Sequence, residues 1–384
     1  MSVPQIDGVR VAALAVPTVL ASAEITSPMD AVPAHRHRRS SWYGSMGEVL
    51  VEISAGPLRG IGMTHGGQAV AALLREHLGP LLVGTDPTDI AAQWDRLRRA
   101  CYPYGTGGLA AMARSALDLA LWDMRGHAEG VSVTALLGGT GTEIPVYATG
   151  NRVAEFVAAG FPAVKIGMPR GPWDGPSAVE AVSRVLERAR VEAGPEAALM
   201  ADAWMGWTPA FVAEVAPALH AAGLTWLEEP LPPDHTGDLP AVVNAAPVPI
   251  AGGEHLTHPH EFLALAAAGV GIWQPDVMWC GGLTAALRLA DLADRTPVAG
   301  LGPSARSRLA PHLGAGPFSL PLVSARCPDH PAEWFVGTAQ GAAWDTAPTV
   351  LHGAAFPDAG RITPSSAAGF GITLDEEAVN RYAC

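Results

Sequence analysis

The chain has 384 residues, 49% of them hydrophobic, enough to enclose a large core without covalent staples and more than one small domain requires. Its formal charge of −13, from 24 basic and 37 acidic residues, argues against nucleic acid and anionic membrane as partners, because both need a positive surface. Cys101, Cys280, Cys327 and Cys384 are scattered without zinc-site or disulfide spacing. No apolar run is long enough to cross a bilayer and no basic segment precedes the first apolar stretch, so a soluble, cytoplasmic protein is expected.

Residues 1 to about 54 alternate apolar runs with polar loop, and VRVAALAV and GEVLVEI are the clearest strands. The connection between them carries His35, Arg36, His37, Arg38, Arg39 and Trp42, and its length suits a lid or binding segment. From Gly67 to about Gly138 the periodicity is helical, with Asp86-Pro87-Thr88-Asp89 offering a helix start. Strands, then helices, then a switch to strand–helix alternation mark a change of domain near residues 139 to 145.

The alternation runs IPVYATG, FPAVKIG, AALMADA, TWLEEP, VPIAGGE, VGIWQPD and TPVAGLG, with an eighth strand expected within AEWFVGTA. Three of these close on an acid, Asp202, Glu228 and Glu254, and the interval from the first to the second equals that from the second to the third. One acid per unit at the same end of three successive strands fits an eight-fold (β/α) barrel, whose reactive groups sit at the carboxyl ends of its strands. Three carboxylates there form a hard, oxygen-rich site suited to magnesium. Taken singly, each is as well explained as a helix cap or a solvated loop charge.

With SALDLALWDMRGHAEGVSVTALLGG at the end of the first region, Asp276 in QPDV and the closing GFGITLDEE, the chain resembles the enolase superfamily, in its mandelate racemase-like subgroup. Within it the sequence is similar to the L-rhamnonate dehydratases through RSSW (39–42), EEPLPPD (228–234), Gly253-Glu254-His255 and QPDVMWCGG (274–282). The resemblance implies an α/β fold: a modified (β/α)8 barrel over residues 141–350, with an α+β cap formed by residues 1–140 and a returning segment, 351–384. It implies Mg2+ held by Asp202, Glu228 and Glu254, and a small-molecule carboxylate substrate that loses its α-proton. An acid sugar would thereby be dehydrated to a 2-keto-3-deoxy acid. Arg39, with Trp42 and His37 beside it, is expected to contact the distal part of that substrate, and a homo-oligomer is expected. The need for a cation stands on its own, since a proton next to a carboxylate is too weakly acidic for any side chain unless the developing charge is neutralised.

A base must still reach the proton. Such members usually carry a His after the seventh strand, in a Pro-His-Gly context, oriented by an Asp after the sixth. With TPVAGLG as the seventh strand, Leu301 stands where that His belongs, although Asp276 is present. Others use a Lys-x-Lys pair after the second strand, and here Lys165-Ile166-Gly167 keeps only the first lysine. Lys165, Asp276, His255 and His312 become the substitute candidates, with Glu333 as a general acid for the leaving hydroxyl, and His312 is better explained as an ordinary helix-face histidine. The two losses leave room for a rival, a metal-binding acid-sugar binder without catalysis, and for one-base epimerisation or lactonisation.

Overall fold

The computed structural model describes residues 4–16, 25–36, 47–336 and 350–384. The first domain is an antiparallel sheet of β1 (Gly8–Leu14), β2 (Glu48–Ala55) and β3 (Leu58–His65), with helices α1 (Gly67–Leu73), α2 (Ile90–Ala100) and α3 (Leu109–Glu129). Glycines in β3 let α3 lie directly on the strand: a Cβ at Gly60 would meet the Ala120 carbonyl oxygen, and one at Gly62 that of Ala116, each at 2.0 Å. Helix α2 begins just past the expected start, where the Asp89 side chain accepts the Ala92 N–H at 3.1 Å. Such a cap contributes about 1 kcal/mol.

After α4 (Val133–Leu136) the chain alternates β4 (Ile144–Thr149), α5 (Val153–Ala158), β5 (Ala163–Gly167), α6 (Ala178–Ala193), β6 (Ala198–Asp202), α7 (Pro209–Ala221), β7 (Leu227–Glu228) and α8 (Leu239–Ala245). It continues with β8 (Ile250–Gly252), α9 (Pro259–Ala267), β9 (Ile272–Trp273), α10 (Leu283–Ala293), β10 (Arg308–Leu309), α11 (Leu320–Arg326) and β11 (Ala332–Phe335). These strands form one curled parallel sheet in the order β10-β9-β8-β7-β6-β5-β4-β11. Between its two ends the turn after β10 donates to β11: Ala315 N–H to the Glu333 carbonyl at 2.9 Å, and Leu313 N–H to the Glu333 carboxylate at 3.0 Å.

The closing segment holds β12 (Leu351–His352), β13 (Arg361–Ile362), β14 (Thr373–Leu374) and α12 (Glu376–Tyr382). Strand β13 adds antiparallel to β4, and α12 returns to the first domain, where Glu376 takes two guanidinium nitrogens of Arg10 at 2.8 and 2.9 Å and Ala383 bridges Leu14. Among the described residues no helix is long and apolar enough to cross a membrane.

One strand lies elsewhere than expected. TPVAGLG is a hook, with Gly300 and Gly302 at φ 78° and 92° and the chain folding back so that Ser307 N–H reaches the Thr296 carbonyl at 3.0 Å. The seventh strand is Arg308–Leu309, paired in parallel with Ile272 and Trp273. Leu301 is 63% exposed on the outside of the hook, so it is not the residue at the end of the seventh strand.

Candidate active site

Alternate residues of a strand face opposite sides of the sheet. Val146, Val164, Leu199 and Leu227 pack in the core under the helices, whereas Tyr147, Ala163, Met200, Trp226, Ala251 and Ile272 form a separate apolar cluster in the barrel interior. Two residues beyond members of that inner cluster stand Thr149, Lys165, Asp202 and Glu228. The same period of two therefore makes a dry floor and, one layer higher at the carboxyl ends, a polar mouth. Glu254 follows β8 through the Gly252-Gly253 turn, Asp276 follows β9, and Glu333 lies within β11.

Lys165 is 1% exposed and sits among carboxylates: its Nζ contacts Glu228 Oε1, lies 2.7 Å from Glu333 Oε1 and 3.9 Å from Asp202 Oδ2. Burial alone would depress the ammonium, but Glu228 and Glu333 outweigh it and hold Lys165 well above its ordinary value. Lys165, expected as a candidate base, is thereby tied into a buried ion-paired cluster with Glu228 and Glu333. Glu228 is further fixed by Gln274 Nε2 at 2.6 Å and the Trp226 indole N–H at 3.1 Å.

His312 is the candidate better explained, from the sequence, as a helix-face histidine. It lies in the turn after β10, following Pro311, and not on a helix. Its side chain is 12% exposed, with Nδ1 3.0 Å from both Glu254 Oε2 and Glu333 Oε2 and Nε2 3.9 Å from Asp276 Oδ2. Burial opposes the charged imidazole, but Glu254 and Glu333 prevail and raise His312 well above its ordinary value. Asp276 accepts the Met278 N–H on Oδ1 at 2.6 Å, its Oδ2 is a buried acceptor without a hydrogen bond, and burial pushes its carboxyl up to about 7 against the pull of His312. The signal available in the sequence was Pro311-His312-Leu313-Gly314, a Pro-His-Gly pattern with one residue inserted.

His255 does turn toward the site. Its Nδ1 is 2.8 Å from Glu229 Oε2 and 3.6 Å from Glu254 Oε1, and against the opposing effect of burial these carboxylates raise it to about 9. Glu333 accepts from Thr149 Oγ1 at 2.5 Å as well as from Lys165 and the Leu313 N–H. Burial works against its charged form, yet Lys165 and His312 hold it far below the usual carboxylate range. Both oxygens of Glu333, expected as a general acid, therefore stand as acceptors, Oε1 to Thr149 and Lys165 and Oε2 to Leu313.

Backbone strain gathers at the same place. Trp204, Met205, Glu229 and Leu313, which follow Asp202, Glu228 and His312, adopt φ of 36°, 64°, 35° and 49°. Left-handed backbone at non-glycine residues costs on the order of 1–3 kcal/mol each and persists where the surroundings dictate it. The missing second lysine has a steric reason: a Cβ at Gly167 would lie 2.9 Å from Ile25 Cγ1 and Cδ1, so a cap side chain fills that space. Arg39, Trp42 and His37 fall outside the described residues.

Whether the acids fit a divalent cation can be judged from their charge. Burial and then repulsion from Glu228 hold the Asp202 carboxyl well above its ordinary value, and Glu228 is raised likewise by burial and by Glu333 and Glu254 despite Lys165. Ligand atoms of Glu228, Glu254 and His312 lie within 4.8 Å of one another, and Asp202 is the in-register neighbour of Glu228. Buried oxygens that repel one another, and that Lys165 and His312 neutralise only in part, suit a hard dication.

A family model described as enolase C-terminal domain-like matches residues 148–378, and one for the mandelate racemase / muconate lactonizing enzyme N-terminal domain matches residues 27–138. The chain is 31% identical over 363 residues to an L-rhamnonate dehydratase of Saccharopolyspora erythraea, covering 92% of this chain and 90% of that protein. A relative from Caldivirga maquilingensis, provisionally given the same name, is 32% identical over 365 residues, covering 93% and 89%. The crystal structure of rhamnonate dehydratase from Gibberella zeae complexed with Mg superposes with a TM-score of 0.88 at 26% identity, covering 100% of this chain and 97% of that one. With both of its domains matched, this chain belongs to the enolase superfamily, on the mandelate racemase / muconate lactonizing enzyme branch.

Proposed function

We propose that the protein is an acid-sugar dehydratase, a carbon–oxygen lyase that converts an aldonic acid resembling L-rhamnonate to its 2-keto-3-deoxy acid. The observation that carries the reading is the placement of His312 beside Asp276 and against the acids of the barrel mouth, together with the relatives named for that reaction. Asp202, Glu228 and Glu254 would hold Mg2+, which when bound supplies positive charge for the substrate carboxylate and offsets the mutual repulsion of its ligands.

His312 takes the proton from C2, with Asp276 facing the far side of its ring to orient it and stabilise its charge. The electron pair of the C2–H bond forms the C2–C3 double bond as the C3–O bond breaks. The departing oxygen leaves as water with a proton from His255, which Glu229 keeps protonated at neutral pH. The enol then takes its keto form, so the product is the substrate less one water. Lys165 takes no part in proton transfer; it fixes Glu228 and Glu333. The rival reading, a binder without catalysis, rested on a missing base, and His312 removes its main support.

The test is proton NMR of a panel of aldonic and aldaric acids incubated with the protein and Mg2+ in deuterated water. New 3-deoxy signals with loss of the C2 proton support dehydration. Loss of that proton without 3-deoxy signals indicates an epimerase, and an unchanged panel with Mg2+ bound returns the binder.

A further inference from the structure

We infer that His65, at the end of the cap strand β3, is a positioning residue for His312 and acts through the indole of Trp279. The inference rests on the reading of His312 as the base.

The Trp279 Nε1–H donates to His65 Nδ1 at 2.9 Å. An indole nitrogen can only donate, so His65 Nδ1 must be the bare, accepting nitrogen, with the ring neutral and its proton on Nε2. The two rings meet edge to face, 84° apart with centroids at 5.6 Å. Burial, and secondarily the charge of His312, push His65 down to about 4, so the acceptor persists across the neutral range.

The indole held in this way is itself a wall of the site. Its centroid lies 5.7 Å from that of His312 at 38°, and 5.5 Å from that of His255 at 43°. Rotation of the indole about its own side-chain bonds would remove the surface on which both imidazoles rest, and the bond to His65 is what opposes it. Neighbouring contacts from the cap hold the same turn: Thr64 Oγ1 donates to the Met278 carbonyl at 2.6 Å, and the Gly281 N–H reaches Ser115 Oγ at 2.9 Å. Asp276 begins that turn, accepting the Trp279 N–H on its carbonyl at 3.0 Å. The cap therefore grips the segment that carries Asp276 and presents Trp279 to His312.

The test compares His65→Phe, which keeps a ring but no acceptor, with His65→Asn, whose Oδ1 can stand where Nδ1 stood, and with Trp279→Phe, which keeps a ring without the donor. His65→Phe is expected to lower kcat about tenfold on the acid turned over by the wild type, with KM within about twofold. His65→Asn should recover most of that loss. The double variant H65F/W279F should be no slower than W279F alone, since both changes break one bond. In parallel, the 15N imidazole resonances of His312 should move in H65F and in W279F and stay at their wild-type positions in H65N. If the wild type turns over none of the acids, the proposed function fails by itself, and the resonance comparison still decides this inference. Unmoved His312 resonances in both ring variants, or losses that multiply in the double variant, overturn it. Should H65F not fold, W279F carries the same readouts.

Discussion

Lys165→Met isolates the ion pair at the centre of the barrel. The lysine is 1% exposed, and its Nζ serves Glu228 and, at 2.7 Å, Glu333. Methionine fills nearly the same volume, so packing is kept while the carboxylates lose their buried cation. Removing one partner of a buried pair costs about 3–5 kcal/mol. With an unfolding entropy of about 2 cal/mol/K per residue, a chain of 384 residues has about 0.8 kcal/mol/K, and the variant should melt about 4–6 °C lower. The folded lysine binds its proton far more tightly than the unfolded chain does, so, while its carboxylate partners are ionised, its stabilisation is present below about pH 10 and is lost as pH rises above it. The deficit should shrink as falling pH protonates the carboxyls left behind. Thermal unfolding by circular dichroism in chelator measures this, and K165M/E228Q/E333Q should recover much of the loss. A variant melting within about 1 °C of the wild type would show that Lys165 does not hold these acids, and the account of the barrel mouth would fail.

Leu301→His puts a histidine at the position that the sequence pattern assigned to one. Because that position is exposed on the hook, turnover should change less than about twofold and stability by less than about 0.5 kcal/mol, read by NMR assay and melting curve. Gly167→Lys should destabilise by about 1–3 kcal/mol through collision with Ile25, measured by denaturant titration, and should add no activity. His65, lowered to about 4 in the fold, binds less proton there than in the unfolded chain between its two pKa values. Its stabilisation is present above about pH 6.5 and is lost as pH falls toward 4, up to about 3 kcal/mol, and H65N should flatten that part of the melting-temperature profile. Mg2+ at about a hundred times its Kd should stabilise the wild type by about 2.7 kcal/mol, and Asp202→Asn or Glu254→Gln should abolish most of that rise.

The placement of Asp202, Glu228 and Glu254 at the carboxyl ends of three barrel strands was legible because a strand of period two ending in an acid, repeated at one interval, leaves little freedom over where they point. His312 was not, and the reason is local. Strand β10 is two residues long, and Arg308 is exposed while Leu309 is buried, so it carries no hydrophobic signature of its own. The more apolar TPVAGLG nearby draws the assignment, although Gly300 and Gly302 bend it into a hook. Lys165 was placed correctly in its strand, but its role depends on Glu228 and Glu333, which come from strands far away in sequence. His65 and Trp279 could not be paired from sequence at all, since the cap and barrel meet only in the fold.

The central claim is that His312 removes the proton next to the substrate carboxylate. The most direct measurement is the rate of C2-proton loss in deuterated water for the acid that the wild type turns over, compared with His312→Asn under saturating Mg2+. The account predicts a fall of about two to four orders of magnitude, with Mg2+ still bound and the fold intact. Proton loss at an undiminished rate in the folded, Mg2+-loaded variant would contradict it and assign the base to another residue.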